Sequence, residues 1–226
     1  MEKKKIFLTF INFLIVPLII IGLSGDFLWL EGWVFSLWFL TLCIFTVVYL
    51  YRHDPALLEE RYKMPGSEGE PGWDRYIVYG IFLLWIAWVI LMPLDAQRFA
   101  WSPPFPLPVK VAGIVGLLIS FVFFFRSFAD NPYLSPLVRI QKERNQRVAS
   151  EGVYAIVRHP MYLGAILMVL GAPLLLGSLY GLAVGIIFTF LLGIRIRKEE
   201  EMLTRELPGY QDYKKKVRYR LVPLVW

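Results

Sequence analysis

The chain has 226 residues, is 57% hydrophobic and 16% aromatic, and carries a net charge of +6. A mean hydropathy of +0.55 excludes an ordinary soluble domain and points to an all-α integral membrane protein. A single cysteine, Cys43, excludes a disulfide framework and a thiolate metal cluster.

Apolar blocks near 7–24, 33–51, 76–94 and 109–125 each match the roughly 20 residues that cross a bilayer core. The first follows Lys3-Lys4-Lys5, as a signal peptide would. Bulky Phe27-Leu28-Trp29-Leu30 stands where a small-residue cleavage site belongs, so the block is read as a retained helix. The polar loop from Arg52 to Asp74 carries Pro65-Gly66-Ser67-Glu68-Gly69-Glu70-Pro71-Gly72, a flexible stretch without core-forming residues. His53 lacks a nearby His or Cys, so no metal site is expected. Ser102 to Pro108 reads as a rigid extended connector. A longer run, 161–194, is interrupted at Gly171-Ala172-Pro173 and at Gly177-Ser178 and reads as a hairpin, either spanning or partly re-entrant. The expectation is therefore four transmembrane helices plus a C-terminal helical hairpin, five to six membrane segments in all. Residues 1–128 would form a scaffold and 129–226 the functional core.

All of the 24 Lys and Arg except Arg98 and Lys110 fall on the side that holds both termini and the large polar loops. The positive-inside bias places that side in the cytoplasm. A basic face against anionic lipid headgroups explains the net charge without a nucleic acid. Gly177, Gly181 and Gly185 lie four apart and would form one smooth face for close helix packing, or a groove for a lipid or cofactor.

The unusual chemistry lies at the polar ends of the hairpin. Pro160 suits the first turn of a helix. The free N–H groups from Met161 onward would then favour a carboxylate or phosphate beside Arg158 and His159. Arg195 and Glu199 share a helix face at the other end of the hairpin, on the same side of the membrane. A zwitterion would fit there, its carboxylate at the helix start and its ammonium at Glu199; an ordinary intrahelical ion pair is the alternative. Glu201 with Arg205 reads as such a pair. Leu207-Pro208-Gly209 ends that helix, and Tyr210 and Tyr213 share a face of the next, which ends in the basic run Lys214-Lys215-Lys216.

Taken in order, Gly152-Val153-Tyr154, Arg158-His159-Pro160-Met161-Tyr162-Leu163-Gly164, the hairpin, Arg195 with Glu199-Glu200 and Leu203, Gly209-Tyr210 with Tyr213, and a basic-proline tail resemble the isoprenylcysteine carboxyl methyltransferase family. The likeness extends more loosely to membrane phospholipid methyltransferases and covers about residues 139–226. It implies S-adenosylmethionine as methyl donor, with S-adenosylhomocysteine as product, in a cytoplasm-facing pocket capped by the C-terminal segment. It further implies cofactor contacts from Gln146, Arg147, Val148, Ala149, Tyr154, His159, Pro160, Met161, Tyr162 and Glu199, with Arg195 holding the substrate in the catalytic position. The acceptor would be a lipid-like or prenylated carboxylate, with no obligate protein partner. An amine acceptor stays open, with Glu199 or Glu200 as base. So do a nicotinamide-dependent enzyme of sterol-reductase type and a non-catalytic membrane scaffold. No glycine-rich dinucleotide fingerprint is present, which excludes a soluble Rossmann methyltransferase.

Overall fold

A computed structural model describes residues 3–226, with side chains from Lys5 onward; Lys3 and Lys4, counted above for charge, lie outside the described side chains. Every regular element among the described residues is helical. The first apolar block forms α1 (Lys3–Phe13) and α2 (Ile15–Ser24), separated at Leu14. Pro17 explains the break, because it cannot donate to the carbonyl four residues earlier and its ring crowds that turn. Then come α3 (Leu30–His53), the short α4 (Pro55–Glu60), α5 (Gly72–Pro93) and α6 (Leu107–Asp130). The hairpin arms are α7 (Pro160–Leu176) and α8 (Leu179–Glu206), and α9 (Tyr210–Lys216) follows. Among the described residues, five segments are long and apolar enough to cross a membrane, and α7 is a shorter apolar helix.

The loop after α3 differs from expectation. It is polar overall, yet it folds α4 within it. Asp54 caps that helix by accepting from the Leu57 N–H at 2.9 Å, and Pro55 occupies the first turn. Leu57 and Leu58 are fully buried against Val47, Leu50, Phe128 and Leu134. Two adjacent leucines were enough to dock six residues of helix between the ends of α3 and α6.

The hairpin turns only once. Gly177 adopts the left-handed conformation, and its N–H and that of Ser178 both donate to the Pro173 carbonyl at 2.9 Å. The interruption expected at Gly171-Ala172-Pro173 is absent, because Pro173 lies inside α7. Its missing N–H would leave the Val169 carbonyl without a partner, but the Trp88 indole N–H donates to that oxygen at 3.1 Å. The neighbour repairs the helix instead of letting it break. Gly181 and Gly185 pack as a smooth face, as the spacing predicts: a Cβ on Gly185 would collide with the Val169 carbonyl oxygen. Gly177 is the turn, outside that face.

At 1.5 Å per residue, α7 is about 26 Å long and α8 about 42 Å. With the turn at Gly177-Ser178, Pro160 stands opposite Arg195 in the antiparallel arm. The last turns of α8 therefore extend past the start of α7 and provide a polar platform where the apolar arm begins.

Candidate active site

His159 is the cap residue of α7 and Pro160 its first helical residue. The Met161 and Tyr162 N–H groups, like those at any helix start, have no partner within the helix. Tyr162 donates its hydroxyl to Glu199 Oε2 at 2.6 Å, linking the two arms of the hairpin across 37 residues. Glu199 Oε1 makes no hydrogen bond among the described residues.

Glu200, the next residue, has a different role. It is 2% exposed. Its Oε1 accepts from Arg158 Nε at 2.6 Å and lies 3.2 Å from His159 Nε2, while Oε2 accepts from Arg220 Nε at 2.8 Å. Arg158 also donates through Nη1 to the Val217 and Arg218 carbonyls at 2.7 Å. Backbone N–H groups of Arg158 and His159 donate to the Tyr219 and Arg220 carbonyls. This network fastens the C-terminal segment to the start of α7. It removes Glu200 as a free base for an amine acceptor, since both of its oxygens already face cations.

Arg195 is likewise committed. Its Nε and Nη2 donate to Asp74 Oδ1 and Oδ2 at 2.8 and 2.9 Å, and Nη2 also donates to the Pro136 carbonyl at 2.8 Å. Asp74 is fully buried and accepts from the Val138 N–H at 2.8 Å as well. Arg195 thus pairs across 121 residues and not with Glu199, four residues away on its own helix. Arg195 Nη1 remains without a hydrogen bond among the described residues. Arg205 pairs with exposed Glu206 and not with Glu201.

Arg158, His159, Tyr162, Arg195 and Glu199 line one pocket. Its wall includes Gln146, Arg147, Val148 and Ala149 together with Tyr154, His159, Pro160, Met161, Tyr162, Arg195 and Glu199. Every residue singled out from the sequence as a cofactor or substrate contact therefore faces the same space. Leu137, Val138, Met202, Leu203 and Leu207 add apolar surface, and Tyr210 and Tyr213 of α9 close the pocket. Tyr213 donates its hydroxyl to the Tyr154 carbonyl at 2.7 Å. The two tyrosine rings of α9 lie 5.7 Å apart, both buried, as their spacing predicts. Burial pushes the Tyr154, Tyr210 and Tyr213 phenols well above their ordinary range, so all three are neutral.

Three residues outside the expected set matter here. Tyr210 has a buried hydroxyl with no hydrogen-bond partner. Asp74 sets the direction of Arg195. Glu60 of α4 takes a bidentate bond from Arg139, both at 2.9 Å, which fixes the loop leading to Gln146. Burial opposes the charge on Glu60, but hydrogen bonds from Arg139, Lys63 and Ser135 outweigh it and hold its carboxyl down at about 2.

The comparisons with known proteins follow the same lines. Residues 109–210 match the family described as phospholipid methyltransferase. A protein-S-isoprenylcysteine O-methyltransferase of Schizosaccharomyces pombe is 26% identical over 165 residues, covering 64% of this chain and 69% of that one. The structure of a eukaryotic intramembrane Ras methyltransferase, an isoprenylcysteine carboxyl methyltransferase, superposes with a TM-score of 0.56 over 93% of this chain and 73% of that one, at 17% identity. The chain is thus similar in sequence to isoprenylcysteine and phospholipid methyltransferases and shares its fold with the former. Similarity also reaches the Delta(14)-sterol reductase of Mus musculus, 29% identical over 192 residues, which cover 78% of this chain. The chain spans 45% of that reductase's length.

The lining of the pocket offers groups that could hold a zwitterionic methyl donor of the kind this likeness implies. Glu199 offers a carboxylate oxygen for an ammonium, and the first turn of α7 offers N–H groups for a carboxylate. The orphaned Tyr210 hydroxyl supplies a donor or acceptor beside the apolar wall.

Proposed function

We propose that the protein is a membrane methyltransferase that uses S-adenosylmethionine and methylates the carboxylate of a lipid-like, isoprenylcysteine-type acceptor. The observation that carries this reading is the convergence of Glu199, the first turn of α7 and the unpartnered Tyr210 hydroxyl on one pocket. In this reading residues 129–226 form the catalytic core and 1–128 a scaffold that contributes Asp74. The positive-inside bias puts both termini and the pocket in the cytoplasm.

When bound, the sulfonium donor supplies an already activated methyl group. The chain's own contribution is then alignment and exclusion of water. Glu199, held by the Tyr162 hydroxyl, would bind the methionine ammonium, and the Met161 and Tyr162 N–H groups would face its carboxylate. Gln146 to Ala149 and Tyr154 would contact the remainder. Glu200, through Arg158, His159 and Arg220, fastens the C-terminal segment that closes the pocket. Asp74 keeps Arg195 oriented, leaving Nη1 for an acceptor oxygen. A carboxylate acceptor needs no proton removed, which suits a site whose Glu200 is fully engaged.

The likeness to a sterol reductase favours one rival, a nicotinamide-dependent enzyme. Incubating the purified protein with methyl-labelled S-adenosylmethionine and either an S-farnesylcysteine carboxylate or an aminophospholipid separates the readings. Label on the carboxylate is the expected result. Label on the amine alone would replace the acceptor class. Absence of transfer together with acceptor-dependent oxidation of a reduced nicotinamide would overturn the methyltransferase reading.

A further inference from the structure

The outer face of the hairpin carries a second concavity. Ile186, Phe190, Gly193 and Arg197 of α8 line this groove together with Leu170 of α7 and Trp226. Arg195 and Glu199 of the same helix line the pocket. Residues two apart lie about 200° apart around a helix, so groove and pocket occupy opposite sides of α8. The groove holds about 430 Å³, within the roughly 300–1,000 Å³ range of ligand sites. It is open above Gly193, where a Cβ would meet nothing within 4 Å. The Thr189 hydroxyl on this wall already donates to the Gly185 carbonyl at 2.8 Å. The Trp226 wall is fixed: the Arg220 guanidinium lies 5.1 Å from its ring centroid, and the Arg220 and Leu221 N–H groups donate to its carbonyl at 2.9 and 3.0 Å.

At one end this apolar trough meets a charged cleft, and Arg197 lines both. The cleft holds Arg197, Arg205, Lys214 and Arg220 with Glu200 and Glu201. Glu200 is shared by Arg158 and Arg220, and Arg205 pairs with Glu206. Lys214 reaches only the Thr204 hydroxyl, at 3.3 Å. Arg197 makes no hydrogen bond or ion pair among the described residues, although Glu201 follows it by four positions. With every carboxylate counted, Glu200, Glu201 and Glu206 do not balance Arg158, Arg197, Arg205, Lys214 and Arg220. The mouth of the trough is cationic.

From Ile186 to Arg197, α8 rises about 16 Å, half of the roughly 30 Å hydrocarbon core. The trough is therefore one leaflet deep, with its cationic mouth at headgroup level. We propose that it binds an anionic phospholipid of the cytoplasmic leaflet, one acyl chain between α7, α8 and Trp226 and the phosphate at Arg197. This goes beyond the methyl transfer proposed above and does not depend on it. The positive-inside bias sets the basic cleft against the leaflet that carries anionic lipid. The arginine fork matches phosphate oxygens, and a zwitterionic lipid would bring no net charge to offset the cationic excess. The acceptor's own chain is not the occupant, because the trough lies across α8 from Arg195 and the pocket.

The test titrates the full chain, delipidated in detergent, with phosphatidylglycerol and phosphatidylcholine of identical acyl chains. Native mass spectrometry reads the one-to-one adducts. Wild type should bind phosphatidylglycerol roughly fivefold more tightly or better. Arg197→Gln should lose most of that preference with phosphatidylcholine binding unchanged. Gly193→Phe fills the trough where there is open space and should weaken both lipids. Lys215→Gln removes the same charge from an exposed residue outside the cleft and should keep the preference. A wild type without headgroup preference, an equal loss in Lys215→Gln and Arg197→Gln, or lipid binding untouched by Gly193→Phe would overturn the proposal. So would displacement of bound phosphatidylglycerol by an S-farnesylcysteine carboxylate, which would give the groove to the acceptor's chain.

Discussion

Asp74→Asn tests whether the pocket is held together by a long-range buried ion pair. Asp74 is fully buried and accepts three hydrogen bonds, from Arg195 Nε, Arg195 Nη2 and the Val138 N–H. Asparagine keeps the shape but supplies one acceptor oxygen, and its amide group sets donors against donors. Removing one partner of a buried pair costs about 3–5 kcal/mol, because the remaining charge stays buried without compensation. For a chain of this size 1 kcal/mol corresponds to about 2–4 °C in Tm, so a fall of roughly 6–20 °C is expected in a detergent thermal scan. Because Leu137 and Val138 line the pocket, S-adenosylhomocysteine affinity should fall as well. The exposed Asp212–Lys215 pair is the control, and Asp212→Asn should leave Tm at the wild-type value. The double variant Asp74→Leu with Arg195→Met should recover most of the Tm, since an apolar pair of similar volume avoids the buried charges. A shift in Asp74→Asn no larger than in Asp212→Asn would refute this account of the pocket wall.

Three further outcomes are expected. Gly185→Val should destabilise by about 1–3 kcal/mol as its side chain meets the Val169 carbonyl, while Gly193→Ala, with open space around it, should not; thermal scans of the two decide this. Tyr210→Phe should raise the Tm of the ligand-free protein by removing an unsatisfied buried hydroxyl, yet weaken S-adenosylhomocysteine binding; a lowered Tm with unchanged affinity would speak against its place in the pocket. The folded-state carboxyl of Glu60 lies below its ordinary range, at about 2, so its contribution is full above about pH 4.5 and is lost as pH falls toward about 2. The Tm difference between wild type and Glu60→Gln should therefore shrink over that window, and a difference independent of pH would show that the Arg139 pair does not carry it.

The parts of the site legible in the sequence are those set by local rules. Proline at 160 starts a helix, glycine at 177 turns a hairpin, and the longer returning arm then carries Glu199 to Tyr162 and Glu200 to His159. The spans, the smooth face of Gly181 and Gly185, and the tyrosine pair of α9 follow from the same short-range spacing. What stayed hidden depends on pairs far apart in the chain. No periodicity connects Asp74 to Arg195, or Glu60 to Arg139 79 positions later. The four-residue spacing to Glu199 instead suggested a partner that Arg195 does not take. The glycine- and proline-rich loop masked α4, whose six residues are too few for a helical pattern and whose burial depends on Phe128 and Leu134. Pro173 looked like a break because the Trp88 indole that repairs it lies on another helix.

In the proposed function, Glu199 and the start of α7 hold the methyl donor. Calorimetric titration of S-adenosylhomocysteine into wild type and Glu199→Ala tests it most directly. Binding at micromolar strength or better is expected for wild type, weakened roughly ten- to a hundredfold in Glu199→Ala by loss of one charge-assisted hydrogen bond. No binding to wild type up to millimolar ligand, or equal affinity in the two proteins, would contradict it.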